Sequence, residues 1–274
     1  MDIDLTINSD LARKILCGFI KSEITRVGFS RAVIGLSGGI DSALSCYLTV
    51  EALGPENVLV VRMPYKTSAQ ESWDHAGLCI ADLGVQTLDI PITEMADALI
   101  GHFPDMSKVR KGNIMARIRM ITLYDQSEAF GGLVVGTSNK TEILLGYSTI
   151  FGDAACALNP IGDLYKTQVR QLSREIGVPS EIVEKAPSAD LWAGQTDEAE
   201  LGFTYEEADH LLYLLVDERY RPKDLIAAGF DEKFVRQVVG RVRHNQFKRV
   251  LPPIAKLTNR TVGYDFLYLR DWGT

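Results

Sequence analysis

The chain has 274 residues, 46% hydrophobic and 24% charged, with a formal net charge of -7, a composition that describes an ordinary globule and excludes a disordered or fibrous chain. No apolar run reaches the roughly 18–20 residues that span a bilayer, and the acidic balance argues against a large nucleic-acid surface while leaving room for a locally basic pocket. Met1 to Asp10 carry three acids and no base, unlike a secretory leader, so a cytoplasmic protein with no membrane or nucleic-acid partner is expected.

Leu11 to Val27 has helical periodicity, with Leu11, Ile15, Leu16, Ile20 and Ile24 on one stripe and Asp10 placed to cap it. Ala32 to Leu36 is a short apolar run ending in Ser37-Gly38-Gly39 and reads as a buried strand. A helix over Ser42 to Leu53 follows, stopped by Gly54. Asn57 to Met63 and Val85 to Ile90 read as the second and third strands, with a helix over Ala69 to Leu83 between them. Helices are predicted over Met95 to Ile100 and Ile114 to Phe130, then a fourth strand over Gly132 to Gly136 and a short helix around Glu142 to Leu145. Beyond these, Tyr165 to Ile176, Tyr205 to Val216, Pro222 to Ala228 and Glu232 to His244 are helical, joined by polar loops. Strands alternating with helices in the first half imply an α/β fold with a doubly wound parallel sheet. One domain over residues 1–274 is expected, with a helical region from about 200 to 274. Cys17, Cys46, Cys79 and Cys156 form no Cys-x-x-Cys pair and the histidines are scattered, which favours free thiols over a structural zinc site.

The most informative stretch is Gly35-Leu36-Ser37-Gly38-Gly39-Ile40-Asp41-Ser42. A strand delivers the chain to two glycines, which let the backbone approach an anion, and a helix then begins with unpaired N–H groups and a positive dipole end. Ser37 and Ser42 can add hydroxyl donors. No Lys follows the second glycine, so this is not a Walker A loop. It carries Asp41 instead, and a carboxylate beside phosphates calls for a bridging cation such as Mg²⁺. The rival reading is a tight turn with Asp41 as a helix cap.

The Ser-Gly-Gly-Ile-Asp-Ser hexad resembles the pyrophosphate loop of the N-type ATP pyrophosphatases, which adenylylate an oxygen nucleophile with ATP and release pyrophosphate. Lys111 to Met120, Gly136 to Glu142, Gly152-Asp153, Gly162 to Val169, Pro187 to Leu191, Gln195 to Glu198, Phe247-Lys248-Arg249 and Arg270 to Gly273 follow in an order that resembles the NAD synthetase family over almost the entire chain. The resemblance implies an adenine-nucleotide α-hydrolase-like, Rossmann-related fold and an enzyme that amidates deamido-NAD with ammonia, using ATP as co-substrate and Mg²⁺.

It also implies roles for particular residues. Gly35 to Ser42, Arg62, Thr137, Lys166 and Ser188 are expected at ATP; Asn113, Arg117, Phe247 and Lys248 at deamido-NAD; Asp41 and Glu142 at the metal; Asp41, Asp153 and Lys166 in catalysis. Read on their own, several of these stay open. Glu142 lies one turn beyond a strand end, where α/β sheets hold ligands, or is a solvated helix residue. Lys166 can pair with phosphate or be a surface lysine; Arg62 can meet a base or ribose or be a plain strand-end charge. Arg117 has a fork suited to a carboxylate or phosphate, and since Arg119 cannot point the same way, Arg119 is the structural candidate. Asp153 would hold ammonium and take its proton, or be a turn residue. Asp190 to Glu200 is a candidate lid, or an ordinary exposed loop.

Ile150, Ala157 and Phe247 stand where ammonia-dependent members of the family commonly have Lys, Asp and His, positions expected to touch the dinucleotide, so the ATP end is the better supported. No stretch of the chain is left for an amidohydrolase domain, so free ammonia is the expected nitrogen donor, with a separate glutaminase partner left open. The resemblance further implies a homodimer. Two alternatives remain at this stage: another pyrophosphate-releasing ligase acting on a different carboxylate, and a non-catalytic nucleotide sensor.

Overall fold

A computed structural model describes residues 3–188, 192 and 196–266. In chain order it has α1 (Ser9–Arg26), β1 (Ala32–Gly35), α2 (Ile40–Leu53), β2 (Val58–Arg62), α3 (Gln70–Leu83), β3 (Gln86–Asp89), α4 (Thr93–Ile100), α5 (Lys108–Phe130) and β4 (Leu133–Val135). Among the described residues there follow the α-helices α6 (Lys140–Leu145), α7 (Lys166–Glu175), α8 (Ser180–Val183), α9 (Asp197–Leu201), α10 (Tyr205–Leu212), α11 (Pro222–Ala227) and α12 (Glu232–His244). The four strands pair in parallel in the order β3-β2-β1-β4, with Ile34 opposite Val60 on one side and Val135 on the other.

Both faces of the sheet are covered, so the central strands are apolar at every position up to Arg62, at the C-terminal end of β2. Ala32, Ile34, Val58 and Val60 point into one core with α1, α2, α7 and α8. Their alternates Val33, Leu59 and Val61 point into the other, against Met63, Ile92 and Met115 beneath α4 and α5. A third cluster joins Leu145 and Tyr165 to Phe203, Tyr205, Leu211 and Val238, placing the C-terminal helices against α6 and α7.

Several expectations are corrected. Asn8, not Asp10, caps α1, accepting the Leu11 amide at 3.0 Å. The α1 stripe divides: Ile20 and Ile24 are buried, whereas Leu11 and Ile15 are exposed. Helix α5 starts at Lys108, before the predicted Ile114, because the Ser107 side chain caps it. The helix expected to run to Val216 is α-helical only to Leu212 and widens into a π-helical turn over Tyr213–Asp217. That turn presents the Asp217 carboxylate to the Tyr165 hydroxyl and to Lys140 Nζ, the latter at 2.8 Å. The short helices α8 and α9 carry no period long enough to read from sequence.

Candidate active site

From β1 the chain moves outward through β2 and β3, then returns to place β4 on the other side of β1. The connections leaving the C-terminal ends of β1 and β4 therefore part in opposite directions, and the crevice between them is where open α/β sheets hold ligands. A cavity of about 1200 Å³ occupies it.

Its floor is the glycine loop. Gly38 has φ +80°, and a Cβ there would lie 2.0 Å from the Ser72 carbonyl oxygen of α3, so only glycine fits both the backbone angle and the space. Gly39 is the N-cap of α2. The amides of Ile40, Asp41 and Ser42 open the helix and have no acceptor within it. The loop hydroxyls, expected as donors to a ligand, also close the loop on itself. Ser42 Oγ donates to the Gly39 carbonyl at 2.9 Å and lies 3.0 Å from Ser37 Oγ, which in turn accepts the Gly39 amide at 3.3 Å.

Asp41 does not cap the helix. Its Oδ2 accepts Lys166 Nζ at 2.5 Å, and Oδ1 accepts Asn139 Nδ2 at 2.8 Å. Lys166 Nζ also donates to Glu142 Oε1 at 3.1 Å. Two carboxylates from two strand-to-helix junctions thus converge on one cation position. Local bonds set this up: Asn139 caps α6, with its Oδ1 accepting the Glu142 amide at 2.9 Å. Lys166, at the start of α7, is fixed through its own amide, which donates to Thr141 Oγ1 at 3.0 Å. Thr141 in turn donates to the buried Asp209.

Burial pushes the Glu142 carboxyl up to about 8, with Lys166 pulling it back only in part. Burial opposes the Lys166 charge, but Asp41 and Glu142 outweigh it and hold the ammonium above its ordinary range. Asp197, buried and bonded by the hydroxyls of Tyr147 and Tyr205 at 3.1 and 3.0 Å, adds a further negative charge near Lys166.

At the other end of the cavity the chain turns through Phe151, at φ 56°, so that Asp153 folds back and its Oδ1 accepts the Thr149 amide at 2.8 Å. Asp153 is exposed at the border of the cavity, and the protein packed behind its carboxyl raises its pKa against the bonds from Thr149 and the pull of Lys248. Lys248 Nζ donates to the carbonyls of Gly146 and Ser148 at 2.7 and 2.6 Å. Thr149 Oγ1 donates to Asn113 Oδ1 at 2.7 Å.

The cavity wall therefore gathers Gly35 to Ser37, Gly39 to Ser42, Arg62, Thr137, Glu142, Lys166 and Ser188 at one end, and Asn113, Asp153 and Lys248 at the other. Gly38 lies behind the wall, against Ser72. Arg117 and Phe247 are not brought into it. Arg117 is exposed and donates to the Ile150 carbonyl at 3.3 Å, and Phe247 is 58% exposed. Arg117 and Arg119 exchange expectations: Arg119 lines the cavity and its Nε donates to the Met63 carbonyl at 3.0 Å. Ile150 and Ala157 likewise stay out of the wall of a single chain. The proposed lid over Asp190 to Glu200 lies in part outside the described residues. Where it rejoins them, the Asp197 amide donates to the Pro187 carbonyl at 3.0 Å.

Sequence reasoning missed Asn139, Trp73, Lys185 and Arg241. Asn139 was detectable as a cap three residues before Glu142. Trp73 packs under the Arg62 guanidinium at 3.6 Å while Asp89 takes two bonds of 2.7 Å from it. Lys185 and Arg241 reach the cavity only through the fold.

The sequence profile of the NAD synthase family matches residues 12–252. The chain belongs to the NAD synthase family. A curated relative in Trichlorobacter lovleyi, an NH₃-dependent NAD⁺ synthetase, is 59% identical over 269 residues, 98% of each chain. Among solved structures, NMN synthetase from Francisella tularensis aligns with a TM-score of 0.82 at 30% identity, over 92% of this chain and 100% of that one. The NH₃-dependent NAD synthetase from Campylobacter jejuni aligns at 0.78 and 34%, over 91% of this chain and 100% of that one. The NAD synthase match takes in the glycine loop, the Asp41–Lys166–Glu142 cluster and the Asp153 turn alike.

Among the described residues no group of three or more His, Cys, Asp or Glu is arranged to cage a metal. The donor set nevertheless fits Mg²⁺, which is commonly held by one or two carboxylates with substrate phosphates completing its shell. Asp41 and Glu142 supply two such carboxylates at one cation position.

Proposed function

We propose that this chain joins ammonia to deamido-NAD at the expense of ATP, giving NAD, AMP and pyrophosphate through an adenylylated nicotinate. The observation that carries the reading is one cavity whose wall holds an anion-binding glycine loop, the Asp41 and Glu142 carboxylates and the separate Asp153 carboxylate. The relatives named above favour this substrate among the acids such chemistry can use. The whole chain is read as one catalytic unit, and a cytoplasmic location belongs to the reading; no helix among the described residues is long and apolar enough to cross a membrane.

In this mechanism the open amides of α2 and the dipole behind them hold the phosphate tail. Asp41 and Glu142 would hold Mg²⁺, which when bound neutralises charge on the phosphates. Lys166 balances the carboxylates and keeps them in place. The nicotinate oxygen attacks the α-phosphorus, and the bond to the pyrophosphate oxygen breaks. Arg62, fixed by Asp89 and Trp73, presents a flat guanidinium at the base end, while Thr137 and Ser188 border the ATP side. Asn113 and Lys248 line the dinucleotide end. Asp153 holds the incoming ammonium, accepts its proton, and the free amine displaces AMP. A homodimer completes the reading: Arg117, Ile121 and Tyr124 share an exposed stripe of α5, so a second copy packed there would bring Arg117 against substrate.

The test is to mix the protein with MgATP, ammonium and deamido-NAD, and in parallel with nicotinate mononucleotide, and follow amide, AMP and pyrophosphate. Stoichiometric NAD and AMP from deamido-NAD is the expected result. Pyrophosphate release without NAD would assign a different acid, and binding without turnover would assign a sensor.

A further inference from the structure

The cations around the glycine loop are almost all spoken for. Arg62 is closed on Asp89, Arg119 donates to a carbonyl, and Lys166 is shared by two carboxylates. Asp41 already balances the Lys166 charge, with Glu142 accepting a further bond from it, which leaves that cluster with no surplus positive charge for a triphosphate. Lys185 is different. Its Nζ lies 3.1 Å from Ser72 Oγ and 3.1 Å from Glu71 Oε2, both in the first turn of α3, and it lines the same cavity. Its charged partner Glu71 has a side chain 62% exposed against 19% for Lys185, so the carboxylate end of the pair stays hydrated and the pair is weaker than one buried at both ends. Ser72 is the residue whose backbone packs against Gly38, so one residue separates the Lys185 ammonium from the loop.

We propose that Lys185 binds the β- and γ-phosphates of ATP and hence the departing pyrophosphate, and that Glu71 holds its place in the free protein. The proposal rests on the ATP reading of the cavity. When the bond from the α-phosphorus breaks, its electron pair stays on the oxygen of the β-phosphate. An ammonium donating there stabilises the charge the leaving group gains. Lys185 exchanges a pair whose carboxylate is hydrated for a charge-assisted bond inside the cavity, and Glu71 returns to solvent, so the exchange runs toward the ligand. Lys185 also sits three residues before Ser188, so one short segment brings both to the phosphate side.

The experiment titrates MgATP, pyrophosphate and AMP separately onto the wild type, Lys185→Met, Lys185→Gln and Glu71→Gln. A charge-assisted bond of this type corresponds to roughly 10–100-fold in affinity. Lys185→Met and Lys185→Gln are therefore expected to weaken MgATP and pyrophosphate by about that factor and leave AMP unchanged. Glu71→Gln should bind pyrophosphate as well as the wild type or better, because Lys185 is released. If Lys185 merely tethers its segment to α3, Glu71→Gln weakens binding in step with the lysine variants and AMP suffers equally; that outcome, or unchanged pyrophosphate affinity in both lysine variants, overturns the proposal. A wild type that binds neither MgATP nor pyrophosphate overturns the ATP reading itself.

Discussion

Replacing Lys166 by Met keeps most of the side-chain volume and removes the charge that two carboxylates share. In the native chain the ammonium stands 2.5 Å from Asp41 and 3.1 Å from Glu142, and its side chain is 3% exposed. At an effective dielectric of about 20 each contact is worth on the order of 5–7 kcal/mol gross, most of which repays desolvation. Deleting one member of a buried ion cluster costs about 3–5 kcal/mol. The lower end applies here, because burial brings Glu142 to about 8, so at pH 7 it is mostly protonated and Asp41 is the main charge left without its partner. A loss of about 3 kcal/mol lowers Tm by roughly 6 °C in a chain of this size. Mg²⁺ should then recover part of that loss, since it suits the same two carboxylates, and should raise the variant's Tm more than the wild type's. Thermal unfolding at pH 7 with and without Mg²⁺ reads both effects, and pyrophosphate release should fall at least 100-fold. A variant as stable as the wild type without Mg²⁺, and indifferent to it, would refute the shared cation position.

Gly38→Ala should abolish adenylylation while the protein still folds. The left-handed angle costs an alanine about 1–2 kcal/mol, and the clash with Ser72 displaces the loop; nucleotide binding and circular dichroism check both halves. Asp153→Asn should release pyrophosphate from MgATP and deamido-NAD in a single turnover yet slow ammonia-dependent NAD formation at least 100-fold; equal loss of both half-reactions would remove Asp153 from the amine step. The Glu142 pKa, raised on folding, sets a sign. Stability from this group is greatest below the unfolded value near 4.5 and declines as pH rises toward about 8. A cation that needs the carboxylate must displace that proton, so Mg²⁺ affinity should increase between about pH 6 and 8 and level off above. Calorimetry in buffers of different ionisation heat should show proton release at pH 7, and Glu142→Gln should remove it.

Much of the glycine-loop part of the cavity was legible because it is local. A strand, two glycines, an acid and a helix start are contiguous, and steric rules at Gly38 act over a few residues. Strands β1, β2 and β4 were legible for a similar reason, since strands covered on both faces are apolar at nearly every position, whereas the edge strand β3 is mostly polar, with Gln86 and Asp89 exposed. Periodicity fails where elements are short, as in α8 and α9, or where an end is set by a cap, as at Ser107.

The sequence by itself determined the alternating strands and helices, the loop and its acid, and the order of segments shared with the NAD synthases. The tertiary structure alone decided which charges meet. Lys166 lies 125 residues from Asp41, and no local pattern records that a buried ammonium will settle between Asp41 and Glu142. Arg117 and Arg119 are two residues apart on one helix, so their sequence context is nearly the same, and only the packing of α5 against β1 and β4 turns Arg119 toward the cavity. Lys185 and Arg241 follow the same logic, because a long charged side chain acquires a role from what the fold puts within its reach.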